Sequence, residues 1–176
     1  MAGDTFLRLE NGKEKSVKGT DASTGIAQAG DIVSLDNTGK LDVSLLPVGV
    51  GPDVAVLEAS EDVGVGDYVN IFDDGGTPKV RLADNSNGRD AHGYIPTGGA
   101  ATTGNNATVY FEGPNPNLTG LTAGARQYLG TGGNATATPL DPTLPANNGS
   151  IHQFLGIAVN ATTINTDIDD CTLIES

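Results

Sequence analysis

The sequence predicts an all-β protein, a small barrel or sandwich built from repeated hairpins with an extended N-terminal arm. Short β-prone runs arrive at regular intervals, separated by Gly, Pro, Asn and Asp, which is the pattern of sandwiches and barrels. No window of ten or more residues has apolar positions at helical spacing. A third observation is a phrase that recurs three times: a leading glycine, a strand-like stretch, and a glycine-rich turn.

The copies begin at Gly30, Gly66 and Gly124, and each places an apolar residue five positions on, at Leu35, Ile71 and Leu129. The turns that follow are Asp36-Asn37-Thr38-Gly39, Asp73-Asp74-Gly75-Gly76 and Thr131-Gly132-Gly133. Glycine permits the positive φ that tight hairpins demand, so the phrase reads as hairpin after hairpin. The second and third copies are echoed downstream by Ala91-His92-Gly93-Tyr94-Ile95 and Phe154-Leu155-Gly156-Ile157-Ala158-Val159. A glycine inside a strand marks a bulge or a close backbone approach. Two related halves, about 54–100 and 104–170, follow from the echo. The copy at Gly30 has no clear closing strand and reads as a connector.

Residues 1–28 read as an arm and 29–176 as the β body. Within the arm, Phe6-Leu7-Arg8-Leu9 is a strand candidate running into an Asn11-Gly12 turn, and the stretch from Ser16 to Gly30 is small and polar. In the body the expected strands are Ile32–Leu35 with Lys40–Leu46, then Val54–Ala59, Tyr68–Phe72, Lys79–Ala83 and Ala91–Ile95. Ala107–Glu112, Arg126–Leu129, Ala135–Leu140, Ile151–Val159 and Thr163–Ile168 complete the set. The Thr97–Asn106 and Gly113–Gly120 stretches read as polar loops.

Composition limits the functions. The 176 residues are 37% hydrophobic and 5% aromatic with no Trp, enough for a thin β core, and Gly (25) with Pro (9) makes up about a fifth of the chain. Net charge is −13, from 9 Lys and Arg against 22 Asp and Glu. Four of the bases, Arg8, Lys13, Lys15 and Lys18, lie in the first twenty residues, and none follows Arg126. So acidic a body repels phosphate backbones, and nucleic acid is not an expected partner. No apolar run is long enough to span a bilayer, and the N-terminus lacks the basic stretch and apolar run of a secretory signal. The expectation is a protein made in the cytoplasm that does not enter a membrane.

No motif of known chemistry is present: no phosphate-binding loop, no His-Glu-x-x-His, no Cys-x-x-Cys and no Gly-x-Ser-x-Gly. Cys171 is single, which excludes an intrachain disulfide. His92 and His152 each sit beside an expected strand and read as half-exposed strand residues rather than a pair. Asp73-Asp74-Gly75-Gly76 and Asp167-Ile168-Asp169-Asp170 lack the length and closing Glu of a calcium loop, and they read as a hairpin tip and a solvated segment. Catalytic residues, cofactors and metals are therefore expected to be none. Five Asn-x-Ser/Thr sequons, at Asn106, Asn117, Asn134, Asn148 and Asn160, should lie in surface turns.

Several stretches carry a resemblance: Gly39-Lys40-Leu41-Asp42-Val43-Ser44-Leu45-Leu46-Pro47, Ala59-Ser60-Glu61-Asp62 into Gly66-Asp67-Tyr68-Val69-Asn70-Ile71, and Lys79-Val80-Arg81-Leu82-Ala83-Asp84. Asp90-Ala91-His92-Gly93-Tyr94, Val109-Tyr110-Phe111-Glu112-Gly113, Gly120-Leu121-Thr122-Ala123-Gly124 and Gln153-Phe154-Leu155-Gly156-Ile157-Ala158 extend it over most of 39–160. In pattern and order the chain resembles tailed-bacteriophage virion structural proteins of the head decoration, or capsid cement, type. That resemblance implies a non-enzymatic protein on the outer surface of a virion, a homotrimer whose partner is the major capsid protein and whose role is to stabilise the shell. It supplies no catalytic residue. On this reading Phe6, Leu7, Arg8, Leu9, Lys13, Lys15 and Lys18 are the contact residues, with an apolar strand able to join a neighbour's sheet and bases suited to an acidic surface. Related patterns also occur in tail and fibre proteins, so a module recognising host surface glycans is the alternative. Sugar stacking would then need exposed Tyr or Trp faces, and the chain has four Tyr and no Trp. A hydrolase using a carboxylate pair is a third reading without a supporting constellation.

Overall fold

The computed structural model describes residues 5–23, 26–35, 39–42, 45–46 and 53–175, and it is all-β. The chain divides into two compact units, Met1–Gly51 and Pro52–Ser176.

In the first unit, β1 (Thr5–Glu10) and β2 (Lys13–Lys18) form an antiparallel hairpin pairing Phe6 with Val17 and Arg8 with Lys15. Asn11 and Gly12 connect them at φ 52° and 74°, the two positive angles that a type I′ turn requires. Ile32–Leu35 and Lys40–Leu46 are not a strand pair among the described residues. Instead Val33 makes an isolated parallel bridge to Thr20, whose N–H donates to Ile32 and whose carbonyl accepts from Ser34. The backbone groups expected to pair forward along the chain are thus satisfied backward. Positions 36–38 and 43–44, within that expected pair and its turn, lie outside the described residues.

The second unit has two layers. β3 (Val54–Ala59), β4 (Tyr68–Asp74), β5 (Thr77–Leu82), β6 (Gly93–Tyr94) and β7 (Asn106–Tyr110) close into a barrel of order β3-β5-β4-β6-β7. β8 (Gly113–Asn115), β9 (Arg126–Leu129), β10 (Ala135–Thr136), β12 (Phe154–Ala158) and β13 (Ile164–Thr166) form an open sheet, order β10-β9-β12-β13-β8. β11 (Ile151–His152) pairs with β14 (Thr172–Leu173). β8 falls where the sequence predicts only a loop. It contains Pro114, which cannot donate to a ladder and so sits at a sheet edge.

Strand alternation separates two cores. Val69, Val80, Ile95, Ala107 and Val109 point into the barrel with Ala59 and Val63. Tyr68, Tyr94, Ala83 and Ala91 point outward and pack on Leu129, Ile151, Leu155 and Ile164 of the second layer. Buried hydroxyls find partners across this seam: Tyr94 donates to the Pro114 carbonyl at 2.9 Å, and the Tyr68 oxygen lies 3.1 Å from Thr166 Oγ1. Asn115 Nδ2 donates to the Gly66 carbonyl, and the Gln153 amide exchanges two hydrogen bonds with the Ala91 backbone. Such pairing is what buried polar groups need if they are not to cost stability.

Candidate interaction surfaces

The seven residues singled out in the sequence all lie on the β1–β2 hairpin. Direct pairing puts Phe6, Arg8, Lys13, Lys15 and Val17 on one face and Leu7, Leu9, Ser16, Glu14 and Lys18 on the other. Phe6 and Val17 are half-buried, whereas Leu7 and Leu9 are 74% and 72% exposed. Lys15 Nζ bridges Glu10 at 2.9 Å, and that bond holds the Glu10 carboxyl below its ordinary range. Between Thr5 and Leu46, Gly19 is the only described residue that is buried. Ile26, Ile32, Val33, Leu35 and Leu41 join the two leucines at the surface. A segment that leaves this much apolar area in water gains little from the hydrophobic effect on its own.

A second concavity, a cleft of about 810 Å³, opens in the body between Ile71, Asp90, His92, Glu112 and the Asp167–Cys171 segment. His92 Nδ1 accepts the Ile71 N–H at 2.9 Å, which places the ring proton on Nε2, facing Asp90 Oδ2 at 3.2 Å. Asn70 completes the arrangement, donating to Asp90 and accepting from Arg81 Nε at 2.9 Å. Both imidazole nitrogens are thus committed to structural partners. Burial, with Asp90 and Asp170 nearby, pushes the Cys171 thiol up, so the thiolate that a nucleophile needs is disfavoured. The cleft has the surface of an acidic groove.

The remaining sequence candidates have separate partners. His152 stacks on Tyr128 at 4.8 Å, whereas His92 is held by Ile71 and Asp90. Asp73 accepts the Gly76 N–H at a hairpin tip while Asp74 bridges Lys79 at 2.9 Å. Among the described residues no group of three or more His, Cys, Asp or Glu converges on a point where a metal could sit. All five sequon asparagines are exposed.

No protein-family model matches the chain, and neither does any curated protein. Among solved structures, the N base of the head fiber gp8.5 of bacteriophage phi29 is similar at 16% identity and a TM-score of 0.45, covering 72% of this chain and 95% of that one.

Proposed function

We propose that the protein is a non-enzymatic component of a phage virion that binds the outer surface of the capsid and stabilises the shell, as a homotrimer on the major capsid protein. The observation that carries this reading is the first unit, a basic hairpin with exposed Leu7 and Leu9 in a stretch that buries only Gly19 among its described residues. Apolar area left in water without a core of its own is stabilised by a partner surface, and association supplies one. Arg8, Lys13, Lys15 and Lys18 suit that partner to an acidic lattice, with an attraction that salt weakens. The resemblance of residues 39–160 to decoration proteins supports the same role for the body.

Deleting residues 1–20 should abolish binding to expanded heads stripped of this protein, while the body keeps its β-type circular dichroism. Unchanged occupancy would remove the hairpin from the interface. Labelling the protein in intact virions and imaging the signal separates head from tail. Signal on the tail would overturn the capsid reading.

A further inference from the structure

The outer face of the open sheet carries a feature separate from the hairpin proposed to contact a capsid. Arg126 is the only Lys or Arg between Asp90 and the C-terminus, and it stands on this face. Its guanidinium lies 4.1 Å from the centre of the Phe154 ring, and its Nε donates to the Tyr128 hydroxyl at 3.2 Å. His152 stacks beside Tyr128 with ring centres 4.8 Å apart, and Phe154 meets Tyr128 edge-on at 6.0 Å.

Pairing of β9 with β12 assembles this group, and a bulge in β12 adds Ile157 to it. Phe154 pairs with Tyr128 and Ile157 with Arg126, so two residues, Leu155 and Gly156, stand opposite Gln127 alone. Simple alternation would send Phe154 and Ile157 to opposite faces. The extra residue brings them to the same one, where Ile157 is 37% exposed and Leu155 is buried beneath. Tyr68 and Tyr94 are buried in the seam, whereas Tyr128 is half-buried on this face.

We infer that this platform binds a carboxylated saccharide, with Arg126 pairing the sugar's carboxylate and the rings of Tyr128, His152 and Phe154 covering its C–H faces. Charge complementarity selects the ligand. Among the described residues the guanidinium has no carboxylate partner, and the stack and the Nε bond fix it while its two terminal nitrogens remain free for a bidentate contact. A group fixed in advance loses little conformational freedom on binding. Because Tyr128 accepts from Arg126, its own O–H can donate to a sugar oxygen. The acidic body repels long polyanions, but beyond about 8 Å that repulsion is screened at physiological salt, which favours one acidic sugar over an extended charged chain. This site is independent of whether the chain coats a capsid.

The test uses the full chain in NMR titrations with trigalacturonate, an alginate trimer and sialyllactose, each beside its methyl ester. The expected result is binding of at least one acid near or below about 1 mM, weakened about tenfold or more by esterification and by Arg126→Ala, with Arg126→Lys failing to restore it. Shifts should centre on Tyr128, His152 and Phe154, and equal thermal midpoints would show that the variants fold. Absence of binding to every acid, equal binding of the esters, or full affinity in Arg126→Ala would each overturn the site. So would a change of oligomeric state in Arg126→Ala without any sugar response, which would make the face a contact between copies.

Discussion

The barrel and the open sheet are two versions of one arrangement that end differently. Read as β5-β4-β6-β7-β3 and β10-β9-β12-β13-β8, their strand orders coincide, and each order visits the chain in the same sequence. The correspondence extends to single hydrogen bonds. Gly66 N–H donates to Ile95 and Gly124 N–H to Ala158, while Ile95 and Ala158 return bonds to Asp67 and Ala125. Val69 and Gln127, each three residues past the leading glycine, stand opposite Gly93 and Gly156. The residue after each leading glycine, including Asp31 in the first unit, also bonds the carbonyl three positions back. What differs is closure. β3 and β5 are six residues each and meet in parallel at Glu58–Lys79 and Ala59–Val80, whereas β8 and β10 have three and two residues and do not pair. Strand length at the two edges therefore decides between a barrel and a sheet.

Closure changes the fate of the outer face. Tyr68 and Tyr94 on the barrel are buried against the second layer, while their counterparts, Arg126 and Ile157, face solvent. The same pattern builds an internal seam in one copy and a free platform in the other.

Substitutions at matched positions sharpen this comparison. The largest effect is expected at the strand glycines. A Cβ at Gly156 would run into the Asn165 carbonyl, and the φ of 145° is one that side chains rarely adopt. Gly156→Ala should cost about 3 kcal/mol or more from overpacking plus strain. At Gly93 a Cβ would lie 2.5 Å from the Tyr110 carbonyl without a positive φ, so Gly93→Ala should cost about 1–3 kcal/mol. Urea midpoints measure both. A single transition in each variant means that the seam couples the layers, and a separate early transition in Gly156→Ala would break that view.

Tyr68→Phe should cost about 1–2 kcal/mol by leaving Thr166 Oγ1 without its buried partner across the seam. Burial already pushes the Tyr68 hydroxyl up to about 12, so this ring should stay neutral in alkaline spectrophotometric titrations well past the ordinary tyrosine range. Ionisation at the ordinary value would mean that the seam is open to water.

The smallest effect separates Asp67 from its counterpart Ala125. Burial raises the Asp67 carboxyl above the ordinary value, against the opposing Gly64 N–H bond at 2.7 Å. A raised carboxyl favours folding while protonated, and that contribution is lost as pH rises through the folded value. Asp67→Asn should therefore be more stable than the parent at neutral pH and lose its advantage on acidification below the carboxylate range. An advantage constant across pH would show that the titration of Asp67 is not its cause.

Much of this was legible in the chain. The leading glycines, the apolar residues that follow them and the mid-strand glycines are local demands, since a tight turn or a close backbone approach excludes side chains wherever it occurs. The Asn11-Gly12 turn was readable for the same reason. β2 escaped because Lys13-Glu14-Lys15-Ser16-Val17-Lys18 buries almost nothing and gives no alternation, and β8 escaped because Pro114 reads as a breaker until its place at an edge is known. The platform was illegible as well: Arg126, Tyr128 and Phe154 are neighbours only because β9 and β12 pair, and His152 joins them from β11. Sequence alone determined the all-β class and the repeated hairpin, because turn chemistry and strand periodicity are properties of a few consecutive residues. Tertiary structure alone decided which copy closed, which face was covered and where Arg126 came to stack, because those depend on edges meeting across long stretches of chain.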